Sequence, residues 1–395
     1  MTFRATTAFA LIVATPALAQ VNQGPPNVPG NTPAFENQTR APEIDDAGTL
    51  RTETVADGLV HPWGVEPLPR GGYLVTERVG RLQHVAADGT MTEVEGVPEV
   101  VARRQGGLLD VALAPDFETS REIYLTYSKP QGSGDAATAV ASARLSDDAA
   151  SLEEVSDLYV QTPPSPTAMH FGSRVVPDGD VLYVTLGEHS SEAERVLAQD
   201  LGASYGKVIR IEPDGSVPED NPFAAEEEAL PEVWTYGHRN PQGAALGPEG
   251  RLWVLEHGPA GGDELNLVEP GANYGWPDVS YGQKYSGAPV GSGETSAEGV
   301  TEPVYYWDPV IAPGGFTFYE GDMFEGWAGD VVASSLTPGG IVRLNLEDDR
   351  VTGESRYLPE LGRVRDIDID ADGALLVLTD DPDGALIRVL PEEGA

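Results

Sequence analysis

Apolar residues along this chain gather in short runs separated by turns of Pro, Asp and Gly, and the arrangement recurs. Each unit is a short strand, a turn and a second β-rich strand. The first unit runs from Gly64-Val65-Glu66-Pro67 to Tyr73-Leu74-Val75, and the second from Asp110-Val111-Ala112-Leu113 to Ile123-Tyr124-Leu125-Thr126-Tyr127. A third pairs Arg174-Val175-Val176 with Val181-Leu182-Tyr183-Val184, and a fourth pairs Gly243-Ala244-Ala245-Leu246 with Arg251-Leu252-Trp253-Val254. The fifth joins Phe316-Thr317-Phe318 to Asp330-Val331-Val332-Ala333, and the sixth joins Asp366-Ile367-Asp368-Ile369 to Leu375-Leu376-Val377-Leu378. Six copies over roughly 345 residues leave about 55 to 60 per unit, which suits a four-stranded blade. The pattern predicts an all-β chain: a six-bladed β-propeller of four-stranded antiparallel blades over residues 47–391. Helical periodicity is almost absent, and its best stretch, Ser190 to Leu201, is expected to be a short helix or a loop.

Residues 1–19 precede this pattern. Arg4, the apolar stretch Ala8 to Ala14, and Ala17-Leu18-Ala19 before Gln20 have the build of a secretory signal peptide. The apolar run is too short to span a bilayer, so the chain is expected to be secreted to the periplasm without membrane insertion. Residues 20–46, rich in Pro, Asn and Gln, read as a disordered or extended N-terminal arm. The formal charge is -40, from 24 basic and 64 acidic residues. Such a chain repels nucleic acid and anionic membranes, and repels an acidic ligand too unless arginines or a metal reverse the local field. The absence of cysteine excludes disulfides and thiolate metal sites. No long exposed apolar edge is evident, and a monomer is expected.

In so acidic a chain, the loops where arginine collects carry the functional signal. Gly237-His238-Arg239-Asn240-Pro241-Gln242-Gly243, Glu256-His257-Gly258-Pro259 and Gly262-Asp263-Glu264-Leu265-Asn266 flank the strand Arg251 to Leu255. A cationic fork, an amide and free carbonyls would converge at one end of it, a mixture suited to an anionic cofactor held through a hard cation. His170, leading Phe171-Gly172-Ser173-Arg174, reads either as a base for a hydroxyl proton or as a turn histidine. Arg239 with Asn240 reads as oxyanion stabilisation or as a surface arginine beside a capping asparagine. Arg363 and Arg365 point to the same side of a strand and make a carboxylate receptor, unless they pair with Asp366 or Asp368. Gly258-Pro259 offers main-chain oxygens to calcium, although a Gly-Pro alone is a turn. Asp263 and Glu264, near Tyr274, form a second oxygen-rich patch or a solvated acidic loop. No phosphate loop, Ser-His-Asp order or zinc-spaced histidine pair stands out.

From about Thr52 to Val389 the chain resembles the soluble, pyrroloquinoline quinone (PQQ)-dependent aldose sugar dehydrogenases, the glucose and sorbosone dehydrogenase family. The motifs that carry the likeness are Gln105-Gly106-Gly107-Leu108-Leu109, His170-Phe171-Gly172, Gly237 to Gly243, Glu256 to Asn266, Asn273 to Pro277 and Arg363-Val364-Arg365-Asp366. The resemblance implies oxidation of the anomeric hydroxyl of an aldose to a lactone, by hydride transfer to a quinone bridged to the protein by calcium. His170 matches the general base, and Arg239 is expected to steady charge on the quinone oxygen. Gln105, Arg239, Asn240 and Tyr285 match quinone contacts, and Arg363 with Arg365 match the pair facing its carboxylates. Gly258 and Pro259 match carbonyl ligands of the quinone's calcium, Glu264 and Tyr274 match a second calcium site, and Trp307 is expected to line the substrate cleft. Two positions depart from the family: Thr337, after Ser335-Leu336, stands where a lysine is frequent, and Glu188 stands where aspartate is common. The implied partners are an aldose and an electron acceptor that the sequence does not identify. The alternatives are a calcium-dependent lactonase or esterase and a non-catalytic glycan-binding propeller.

Overall fold

The computed structural model describes residues 19–44 and 48–392. The leader expected over residues 1–19 lies, save for Ala19, outside them. The described residues form six four-stranded sheets whose neighbouring strands are all antiparallel, the blades of a six-bladed propeller. The paired runs of the sequence are the first two strands of each blade. Blade one begins with Pro62–Pro67 and Tyr73–Glu77, blade two with Leu108–Leu113 and Glu122–Pro130, and blade three with Gly172–Asp178 and Val181–Leu186. Blade four begins with Pro241–Leu246 and Leu252–Glu256, blade five with Pro313–Phe318 and Val331–Ser335, and blade six with Val364–Ile369 and Leu375–Thr379. The stretch from Ser190 to Leu201 contributes one short 3-10 turn, Arg195–Gln199.

Blade six borrows its outermost strand from the start of the fold. Leu50–Leu59 pairs antiparallel with Gly384–Pro391, so the two ends of the propeller meet in one sheet and close the ring. Each innermost strand packs against the innermost strands of the blades on either side. Apolar side chains leave both faces of every blade. In blade six, Leu375 and Val377 pack toward blade five while Leu376 and Leu378 pack toward blade one. That is the period-two alternation of a strand buried on both sides, and it explains why this strand reads as an unbroken apolar run. Every junction between consecutive blades holds such a cluster.

The innermost strands surround a channel, and a cavity of about 260 Å³ is lined by residues from all six of them. Across it Arg174 donates to Asp110 at 2.6 Å and to Asp366 at 2.8 Å. The same carboxylates accept the main-chain N–H groups of Val175 and Val65. One guanidinium thus ties strands of blades two, three and six together, while Asp366 reaches blade one. In all six blades the first strand pair slips register near the start of the innermost strand. Such bulges bend a strand and re-aim its side chains, and here they all lie at one end of the channel.

The segment read as a disordered or extended arm runs in bends and turns, and its backbone is held along blades four and five. The Asp308 carboxylate accepts the N–H groups of Asn27 and Val28, and Asn31 donates to the Tyr281 carbonyl. Gln38 is fully buried and donates to the Pro303 carbonyl, and Ala41 belongs to the apolar cluster between blades four and five. Polar composition misleads here because hydrogen bonds, more than apolar area, fasten the segment. Removing Arg174 strands two buried carboxylates, so Arg174→Ala is expected to cost about 3–5 kcal/mol in chemical unfolding. A loss below about 1 kcal/mol, the scale of a surface ion pair, would show that the channel ion pairs do not hold the blades together.

Candidate active site

Antiparallel pairing decides which residues meet. The start of each innermost strand lies beside the end of the second strand of the same blade. Gln105, His170, Arg239, Asn240 and Arg363 precede or begin innermost strands, while Arg78, Glu188, His257 and Asp380 follow second strands. All therefore gather at the bulged end of the channel. There Trp63, Arg78, Gln105, Gln242, His257, Ala312, Leu336, Arg363, Arg365 and Asp380 line a cavity of about 240 Å³.

Positive charge is concentrated here. Asp380 Oδ2 accepts from Arg363 at 2.9 Å and from Arg365 at 2.8 Å, and its Oδ1 meets His61 Nδ1 at 3.0 Å. The arginine pair's carboxylate partner is therefore Asp380, not the Asp366 or Asp368 weighed from the sequence; Asp366 serves Arg174. Burial works to raise the Asp380 carboxyl, but Arg365, Arg363 and Arg78 outweigh it and hold it well below the usual carboxylate range. Arg365 also donates to Gln242 Oε1 at 2.8 Å, and its Nε is buried without a partner. Three guanidinium groups against one carboxylate leave a surplus of two positive charges on the cavity wall.

His170 stands at a positive φ of 49° and is buried. Its N–H donates to Gln105 Oε1 at 2.7 Å, and its Nδ1 lies 3.0 Å from Glu188 Oε1. Glu188 Oε2 accepts the Ser190 N–H at 2.5 Å, so the carboxylate is held from its other side. Burial, with the charges of Arg239 and Arg195, holds the His170 ring well below 6.5, and burial raises Glu188 against the opposing pull of Arg239. We assign His170 as neutral with its proton on Nδ1, donated to Glu188, because the Ser190 N–H and Arg239 favour the ionised carboxylate. Nε2 then presents a lone pair and has no partner among the described residues. His189 and His238, by contrast, have both ring nitrogens engaged.

Arg239 is set by Glu256, whose Oε2 accepts its N–H at 2.8 Å, and its Nη1 donates to the His257 carbonyl at 3.0 Å. Its guanidinium lies over the Trp276 ring at 5.2 Å, and its Nε is buried without a partner. Gly237 precedes this turn at φ 79°, where a Cβ would approach Asn273 Oδ1 to 2.2 Å, so only glycine fits. Asn240 Oδ1 accepts the Gly172 N–H at 3.1 Å, joining blade four to the His170 loop.

Arg239, Glu256, Gly258, Glu264 and Trp276 line a second, narrower cavity. Among the described residues the carbonyls of Gly258 and Pro259 accept no hydrogen bond, and no group of three or more His, Asp or Glu side chains converges as a metal cage. A cation here would meet main-chain oxygens together with the Glu256 and Glu264 carboxylates that line the same cavity. Asp263 is committed to structure, accepting the N–H groups of Gly258, Ile311 and Ala312. The Tyr274 hydroxyl donates to the Leu267 carbonyl, leaving its main-chain oxygen as the group able to serve a metal. Of the expected residues, His170, Asn240, Pro259, Tyr285 and Trp307 line neither cavity, although His170 meets the first through its bond to Gln105. Tyr285 is 81% exposed and lines neither one, and Trp307 is fully buried with Tyr305 in the core between blades four and five. Trp307 lies on a strand packed from both sides, so it is not free to line a cleft; Trp276 lines the second cavity. Sequence reading missed Arg78, Glu256 and Asp380. Their signal was position, since each ends or directly follows the second strand of a blade.

These features define a class: a propeller whose channel ends in a positively charged cavity beside a buried, neutral histidine. The chain belongs to the Glucose / Sorbosone dehydrogenase family, whose sequence profile matches residues 59–388. Aldose sugar dehydrogenase YliI of Escherichia coli (strain K12) is 43% identical over 350 residues, covering 87% of this chain and 93% of that protein. The solved apo-form of the soluble aldose sugar dehydrogenase from Escherichia coli has a TM-score of 0.84 at 41% identity, covering 87% of this chain and 100% of that one. The PQQ-bound form of aldose sugar dehydrogenase from Streptomyces coelicolor has a TM-score of 0.72 at 28% identity, covering 88% and 99%.

The lowered His170 value has a testable consequence. Unfolded histidine takes up a proton near 6.5, whereas folded His170 resists it. The wild type is therefore expected to lose stability relative to His170→Gln as pH falls below about 6.5, the ordinary histidine value. Equal pH dependence of the two unfolding curves would contradict a neutral buried ring.

Proposed function

We propose that this chain oxidises the anomeric hydroxyl of aldose sugars with PQQ and calcium. The observation that carries the reading is the arginine-lined cavity placed beside the His170–Glu188 pair. The cavity residues fit a carboxylate-bearing quinone: a surplus of positive charge and orphaned guanidinium donors suit a small polyanion. The carbonyls of Gly258 and Pro259 fit a calcium ion, which prefers oxygen ligands in flexible number. When bound, the quinone supplies the acceptor for the sugar's C1 hydride, and calcium polarises its carbonyl.

The protein's share follows from its own groups. His170 Nε2 takes the proton of the anomeric hydroxyl as the hydride leaves C1. Glu188, fixed by the Ser190 N–H, keeps the ring in the tautomer that leaves Nε2 free and steadies the imidazolium that forms. Arg239, held by Glu256 and stacked on Trp276, presents positive charge beside the same ring. Burial keeps His170 unprotonated at neutral pH, so the base is ready without first losing a proton to water. A lactonase would need a metal-held water and has no use for the arginine surplus.

The test is dye reduction by an aldose, with and without added PQQ and calcium. Aldose-dependent reduction that needs both additions is the expected result. Lactone hydrolysis without quinone, or no aldose-dependent reduction, would overturn the assignment. His170→Gln is expected to lower turnover by about 10²–10⁴-fold, the usual worth of a positioned base, with PQQ affinity nearly unchanged. Full turnover in that variant would remove His170 from the mechanism.

A further inference from the structure

Arg363 and Arg365 are already engaged with Asp380, whose two oxygens are taken by these arginines and by His61. Arg78 approaches the same carboxylate but reaches Oδ1 only at 3.7 Å, beyond hydrogen-bond distance. Its Nη1 donates to the Arg104 carbonyl, and its Nε is buried without a partner among the described residues. The neighbouring acid, Glu77, does not neutralise it, because that carboxylate holds the Val60 N–H, Arg81 and Gln83. Arg78 therefore lines the 240 Å³ cavity with a guanidinium that no internal carboxylate fully answers.

The backbone shows why it is held there. Gly107 sits at φ 151°, and a Cβ on it would lie 2.0 Å from the Arg78 carbonyl oxygen. Only a glycine lets the Gln105-Gly106-Gly107 loop press against residue 78, so Gln105 and Arg78 reach one wall of the cavity together. Leu336 of blade five also lines the cavity, and the next residue, Thr337, brings no cation to it.

We propose that Arg78 is a third anion-receiving residue of this site, holding a carboxylate of the bound quinone that the Asp380-engaged pair Arg363 and Arg365 leaves uncovered. The inference rests on the PQQ reading above and adds to it a residue at blade one. Asp380 then has a matching role, keeping two mutually repelling arginines in place while leaving the third free.

The experiment is calorimetric titration of the full-length protein with PQQ in the presence of calcium, at low and high salt, for the wild type, Arg78→Met and Arg78→Lys. Arg78→Met is expected to weaken PQQ binding by about tenfold to a hundredfold, the worth of a charge-assisted hydrogen bond, and to flatten its salt dependence. Arg78→Lys, which loses the same Arg104 contact but keeps the charge, is expected to recover part of the affinity and the salt dependence. A Met variant that binds as tightly as wild type, with equal salt dependence, would overturn the proposal. So would equal losses in the Met and Lys variants, which would mark a merely structural contact. Wild-type protein that takes up no PQQ would instead overturn the functional reading on which the proposal rests.

Discussion

Like charges gathered in a small cavity repel one another, and a fold keeps them there only if something else holds them. At the bulged end of this channel, three guanidinium groups face a single carboxylate, Asp380. The strands impose this. Val364 pairs with Thr379, which sets Asp380 beside Arg363, and the Asp380 N–H donates to the Arg363 carbonyl at 2.9 Å. Arg363, Arg365 and Asp380 are fixed by one hairpin, and with Arg78 arriving from blade one a single acid faces three bases. An anion entering the cavity relieves a repulsion that the propeller has already built in.

The other end of the channel has the opposite balance. Glu66, Asp110, Asp366 and Asp368 line the neighbouring cavity with Arg174 as their one guanidinium. Four carboxyls face one arginine there, but burial raises Glu66, Asp110 and Asp368, so part of that acidity is held protonated. Positive charge is thus concentrated at the bulged mouth of the channel. Arg174 ties strands of the ring together, whereas Arg78, Arg363 and Arg365 give the opposite mouth its positive charge. Residues of one type serve different ends according to how many carboxylates their strand neighbours provide.

Much of this architecture was legible in the chain. The innermost and second strands are buried on both sides and read as apolar runs, which is why six repeats could be counted. Outer strands such as Met91–Val94 and Leu152–Val160 are largely exposed and polar, so they leave little pattern. Closure by Leu50–Leu59 was hidden because it depends on a partner more than 300 residues away. At the site, loops flagged by glycine and arginine did converge, since repeated hairpins return each second strand to the start of the first. What a linear reading could not give was pairing across strands. It read Arg363 and Arg365 as a carboxylate receptor and weighed only Asp366 and Asp368 as internal partners, but those residues lie farther along a strand that carries them into the channel, and Asp380 across the hairpin is the partner. Arg78 passed unnoticed as a lone arginine in a turn. Trp307, expected in a cleft, is core, and the polar segment after Gln20 is hydrogen-bonded to the blades.

The central claim is that the arginine-lined mouth of the channel receives a carboxylate-bearing quinone beside His170. A crystal structure of the protein grown with PQQ and calcium tests it most directly. The account predicts the quinone in the 240 Å³ cavity, its carboxylates on the arginines around Asp380 and its reactive carbonyl toward Arg239 and His170. Quinone bound at another surface, or that cavity left without it under saturating ligand, would contradict the account.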